Sequence, residues 1–135
     1  MRTLFNVAAS ALILIAATSA NAACFRCAPI YNVADAPVIA AAGKALTDDE
    51  VKAAIVRAGS ALGWQIKEVG PGQLIGTLVL RKHTAIVEIP YSSKQYSITY
   101  KSSIELDAAD GQIHKNYNGW IQNLSRGINA QLTAG

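Results

Sequence analysis

Between Trp64 and Lys101 the side chains alternate apolar and polar in four short runs, each ended by turn residues. A chain with that pattern forms neighbouring strands, and short turns make the neighbours antiparallel. In the first run Trp64 and Ile66 alternate with Gln65 and Lys67 as far as Val69, and Gly70-Pro71-Gly72 supplies the turn. Leu74 to Arg81 is the second run. After a turn over residues 81–84, Ala85, Val87 and Ile89 alternate with Ile86 and Glu88 until Pro90. A loop over residues 91–95 follows, and then Tyr96, Ile98 and Tyr100 alternate with Ser97, Thr99 and Lys101.

Helical periodicity flanks the meander on both sides. Thr47-Asp48-Asp49-Glu50 is a capping box, and its acids suit the positive end of a helix dipole. Val51, Ala54, Ile55, Ala58 and Leu62 then fall on one stripe, and Gly63 is a natural stop. The second stripe, Ile113, Tyr117, Trp120, Ile121, Leu124, Ile128 and Leu132, predicts a helix over 112–132 capped by Asp110-Gly111. The order α-β-β-β-β-α predicts an α+β two-layer sandwich, a four-stranded antiparallel meander covered on one face by two helices. Residues 47–135 would form that single domain.

The hydrophobic share of 51% is inflated by the first 22 residues. Arg2, an uncharged run from Leu4 to Ala17 and the small-residue site Ala20-Asn21-Ala22 read as a signal peptide over 1–22. The apolar run is shorter than the ~20 residues of a spanning helix. Residues 23–46 hold Pro29, Pro37 and the small residues Ala40 to Gly43, and they predict a flexible leader. Fully extended it would reach roughly 70 Å. Removing residues 1–22 takes away one of the 12 basic residues and none of the 9 acidic ones. The remaining basic residues are scattered, without the clustered stripe that nucleic acid requires.

Cys24-Phe25-Arg26-Cys27 is a C-x-x-C without the helix that lowers a catalytic thiol pKa. Zinc would need four ligands, and only His83 and His114 are available to join the pair. Two readings stay open. Either Cys24 is lipidated, Ala22-Ala23-Cys24 being the end of a lipobox with the weak residue Asn21 at −3, or Cys24 and Cys27 form a local disulfide in an oxidising compartment.

No G-x-S-x-G is present, and Gly70-x-Gly72 precedes a strand, so it is a turn and not a phosphate cradle. His83 falls in a turn and His114 in a helix start. Glu105, Asp107 and Asp110 lack calcium-loop spacing. A non-enzymatic protein without metal or cofactor is expected. Candidate binding residues come from two groups. The sheet face away from the helices carries Ile75, Val79 and Ile86 among Thr77, Glu88, Ser97, Thr99 and Lys101. The aromatic group is Tyr91, Tyr96, Tyr100, Tyr117 and Trp120, with Tyr91 and Tyr96 expected at the surface.

Several segments resemble a family of small proteobacterial lipoproteins of the cell envelope. They are Ala54-Ile55-Val56-Arg57-Ala58-Gly59, Gly63-Trp64, Gly70-Pro71-Gly72, and the stretch from Arg81 to Tyr91 (RKHTAIVEIPY). Tyr96-Ser97-Ile98-Thr99-Tyr100 and the stretch from Ile113 to Ile121 (IHKNYNGWI) complete the likeness, which runs from about Tyr31 to Leu132. The resemblance implies a Gram-negative envelope protein, often lipid-anchored, with no established activity and no site residues to carry over. The expected location is the periplasm or the outer membrane, with membrane contact only through a lipid at Cys24. The expected function is a binding or structural module for an envelope protein or component. A homodimer through Gln65 and Lys67 or through the 97–103 strand would also fit. The alternative is a small-ligand, sugar-like binding protein that uses the aromatic group.

Overall fold

The computed structural model describes residues 24–134. The expected signal peptide therefore lies outside the described residues. Nine elements follow one another: β1 (Cys27–Pro29), β2 (Val33–Pro37), α1 (Asp48–Ala61), β3 (Gln65–Gly70), β4 (Gln73–Leu80), β5 (His83–Pro90), β6 (Gln95–Ile104), β7 (Gln112–His114) and α2 (Lys115–Ala134).

The four-stranded meander is corrected to a five-stranded sheet, β2-β6-β5-β4-β3, with a separate two-stranded sheet, β1-β7. The extra strands come from the segment expected as a leader. β2 lies antiparallel against β6, Val33 opposite Ile98 and Ala36 opposite Tyr96, with a bulge between. β1 lies antiparallel against β7, Cys27 opposite His114. Side-chain amides fasten the segment as well. Asn118 accepts from the Tyr31 N–H at 3.0 Å and donates to the Pro29 carbonyl at 2.9 Å, and Asn32 accepts from the Tyr100 N–H at 2.9 Å. Burial of Val33 adds an apolar anchor.

Each predicted helix has a definite start. The Thr47 hydroxyl accepts from the Glu50 N–H, and the Glu50 carboxylate reaches back to the Thr47 N–H, completing the capping box. At the other end of α1, the N–H groups of Gly63 and Trp64 return to the carbonyls of Ser60 and Gly59. Gly63 sits at φ 88°, where a side chain would be costly. Helix α2 begins at Lys115 rather than at 112, and Asp110 does not cap it. Asp110 and Gly111, both at positive φ, turn the chain between Ala109 and Gln112 so that Ile113 enters the core from a strand. The cap role passes to His114, whose Nδ1 accepts from the Asn116 N–H at 3.2 Å.

One apolar cluster joins both helices to one face of the large sheet. Val51, Ile55 and Ala58 of α1 and Ile121, Leu124 and Ile128 of α2 meet Leu74, Leu78, Val87, Ile89, Tyr96 and Ile98. Burying each large aliphatic side chain stabilises the fold by about 1.5–3 kcal/mol. Among the described residues the buried cluster runs from Val33 to Leu132.

Candidate interaction surfaces

The meander brings Ile75, Ile86 and Val79 together. Antiparallel pairing sets Ile75 opposite Glu88, Thr77 opposite Ile86, and Val79 opposite Thr84, which in turn faces Ile104. Directly opposed residues share a face, so these side chains form an apolar zigzag on the face away from the helices. Ile75 and Ile86 are half-buried, whereas Val79 is 63% and Ile104 59% exposed. Ile104 was missed in the sequence because it lies three residues past the last clear alternation. Polar residues close the zigzag at its far side, where Lys101 Nζ meets Glu88 Oε1 at 3.1 Å.

The zigzag leads to the end of the sheet where the chain enters. Cys24 and Cys27 are joined as a disulfide, and the turn closes with the Cys27 N–H on the Cys24 carbonyl at 3.2 Å. A thioether to lipid and this disulfide would use the same Cys24 sulfur, so the two exclude one another. The turn lies beside Asp107, with Cys24 Sγ 3.9 Å from the carboxylate and Cys27 Sγ 3.9 Å from the backbone carbonyl. Two residues earlier, the Glu105 carbonyl lies 2.6 Å from His83 Nδ1 at the start of β5. The β4–β5 turn, the end of β6 and the N-terminal turn thus converge. Phe25 stands fully exposed there, and Leu80 is 46% exposed.

The two tyrosines expected at the surface separate. Tyr96 is buried, because its place in the register turns it toward α2, where its hydroxyl finds Ser125 Oγ at 2.9 Å and Asn129 Oδ1 at 2.8 Å. Burial raises its hydroxyl pKa, and the hydrogen bonds with Ser125 and Asn129 oppose the shift. Tyr91 stays half-exposed and lines a cleft of about 260 Å³ with Asp35, Gln73, Ser92, Gln95 and Ser97. Asp35 sits in the β2 bulge at φ 49°, and its Oδ1 accepts from Gln95 Nε2 at 3.2 Å and from Ser97 Oγ at 3.4 Å. The rest of the aromatic group belongs to the core. Tyr117 is buried edge-on to Tyr100, ring centres 5.6 Å apart, and Trp120 packs half-buried beside His83. Burial drives the Tyr117 hydroxyl pKa up, with Tyr100 adding to the shift.

On the 97–103 strand expected at a dimer interface, β2 pairs along the outer edge only as far as Ile98, and beyond it the Asn32 side chain meets the Tyr100 N–H. Gln65 and Lys67 do lie on an edge strand, β3, which Lys52 of α1 braces through Glu68 at 3.0 Å. Among the described residues no helix is long and apolar enough to cross a membrane, and no group of three or more His, Cys, Asp or Glu is placed to share a metal ion. No protein-family model, curated protein or solved structure matches the chain.

Proposed function

We propose that this is an exported cell-envelope protein that works by contact, binding an envelope component through the open end and outer face of its sheet. The observation that carries the reading is the group Ile75, Ile86, Val79 and Ile104 on the outer face of the sheet, in which Val79 and Ile104 are largely exposed. The Cys24–Cys27 disulfide directly after Ala20-Asn21-Ala22 supports export, because such bonds persist in oxidising compartments. Cell fractionation with intact-mass analysis tests it. Expected are a mature chain beginning at Ala23 or Cys24 in the envelope, and a Val79→Ser/Ile86→Ser variant that keeps its circular dichroism but loses envelope association. An uncleaved cytoplasmic chain would refute the proposal.

A second reading has its own observation. The Tyr91 cleft combines an aromatic face with the Asp35 carboxylate and the amides of Gln73 and Gln95, a combination that suits a sugar-like ligand. Titration with a saccharide panel, followed by chemical shifts of residues lining the cleft, is expected to show binding that Tyr91→Ala abolishes. Unmoved shifts would end this reading.

A further inference from the structure

We propose that the ligand of the Tyr91 cleft carries a protonated amine, which pairs with the Asp35 carboxylate, so that the cleft selects an amino sugar over its neutral parent. This deepens the second reading above, on which it rests.

The carboxylate is set in place by the fold. A bulge interrupts β2 between Val33 and Ala36, and Asp35 sits within it at φ 49°, a backbone region that Asp and Asn enter more readily than other residues with side chains. Bulges of this kind re-aim a side chain. Ser97 Oγ accepts from the Asp35 N–H at 2.9 Å and donates back to Asp35 Oδ1 at 3.4 Å. Gln95 Nε2 donates to the same Oδ1 at 3.2 Å. All three residues line the cleft, so the carboxylate is oriented before any ligand arrives.

The open oxygen narrows the choice of partner. Two donors fill both lone-pair sites of Oδ1, while Oδ2 accepts from no group among the described residues. A guanidinium fork, or two neighbouring sugar hydroxyls gripped as a pair, needs both oxygens of a carboxylate. An ammonium is a compact charge with three donors, and one oxygen serves it.

Charge points the same way. Asp35 is the one charged residue lining the cleft, and it joins no salt bridge among the described residues. Asparagine would fasten the bulge as well, because it also offers Oδ1 and also tolerates positive φ. The negative charge thus serves no contact within the fold. Around it the lining is neutral, with Gln73 and Ser92 supplying an amide and a hydroxyl. At about 260 Å³ the cleft is smaller than the roughly 300–1,000 Å³ of sites for drug-sized ligands, which suits a single ring.

The test follows chemical shifts of the purified protein during separate titrations with D-glucosamine, D-glucose and N-acetyl-D-glucosamine, at about pH 6, where an amine is protonated and a carboxylate ionised. D-Glucosamine is expected to move the Gln95 side-chain amide and the Asp35 and Ser97 N–H groups, with a Kd about three- to tenfold below that of D-glucose. N-Acetyl-D-glucosamine, which has no charge, is expected to bind like D-glucose. Added salt narrows the gap for the unmodified protein. Asp35→Asn keeps the bulge and its circular dichroism, and it brings D-glucosamine to the level of D-glucose. Equal affinity for all three sugars at this cleft would overturn the amine assignment and leave the sugar-like reading standing. A preference for D-glucosamine that survives Asp35→Asn, or that salt does not touch, would also overturn it. Shifts that no sugar moves would end both.

Discussion

The hydroxyl of Tyr96 donates to Asn129 Oδ1 at 2.8 Å, tying the middle of the sheet to the last turns of α2. Ser125 shares the same hydroxyl, so the largest polar side chain on the inner face is buried with its hydrogen bonding complete. Tyr96→Phe strands these partners and is expected to cost about 1 kcal/mol in urea-induced unfolding, with an unchanged slope.

Tyr117 presents the opposite case. Its hydroxyl is buried without a hydrogen-bond partner among the described residues. Leaving a polar group unpaired inside a protein costs free energy that a phenylalanine avoids. Tyr117→Phe is therefore expected to leave stability unchanged or raise it, by up to about 1 kcal/mol. A loss comparable to that of Tyr96→Phe in the same assay would contradict this account.

Both hydroxyls have pKa values raised by burial, which fixes the sign of an alkaline effect. The folded chain holds these protons more tightly than the unfolded chain, whose tyrosines titrate near pH 10. The contribution is fully present below about pH 10 and is lost as the pH climbs from there toward the folded values. Thermal midpoints are expected to fall above that pH, with less of a fall in the Tyr96→Phe/Tyr117→Phe double variant.

Two glycines should respond in opposite directions. A Cβ at Gly119, within α2, would meet nothing within 4 Å, so Gly119→Ala is expected to add about 0.5–1 kcal/mol through helix propensity. A Cβ at Gly76 would lie 3.1 Å from Val87 Cγ2 and 3.3 Å from both Ile66 Cδ1 and Trp64 Cε3. Gly76→Val is expected to cost about 1–3 kcal/mol by overpacking. Chemical denaturation of the two variants checks both signs.

Reducing the Cys24–Cys27 bond opens a very small loop, so the chain-entropy contribution is about 2 kcal/mol or less. The reduced chain is expected to melt in one transition at a somewhat lower temperature, with both thiols open to alkylation. Loss of cooperative melting would show that the turn matters to the whole core.

The sequence made the interior of the sheet visible and hid its margins. Alternation over Leu74–Leu80 and Ala85–Ile89 comes from strands with one buried face, and the stripe from Tyr117 to Leu132 comes from a helix with one. β2 lies at a sheet edge, contains Pro37 and is broken by a bulge at Asp35, so its period is lost in five residues. β1 and β7 have three residues each, too few for any period to register. Asp110-Gly111 looked like a helix cap because a tight turn and a cap favour the same residue types. The surfaces divided along the same line. Ile75, Val79 and Ile86 were legible as one face, but Tyr96 depended on its strand's register, and the cleft at Tyr91 required knowing that Asp35 lies across from it.

β1 and β2 also set an order of events. Ribosomes make a chain from its N-terminus, so these strands exist long before their partners do. The Asp35–Ser97 contact closes 62 residues, and the Tyr31–Asn118 contact closes 87. Closing such separations is what slows folding, since the entropy of the loop is lost before any contact rewards it. Strands made early are thus among the last to be protected. Until β6 and β7 arrive, β1 and β2 stay unpaired and accessible to whatever meets them on the way.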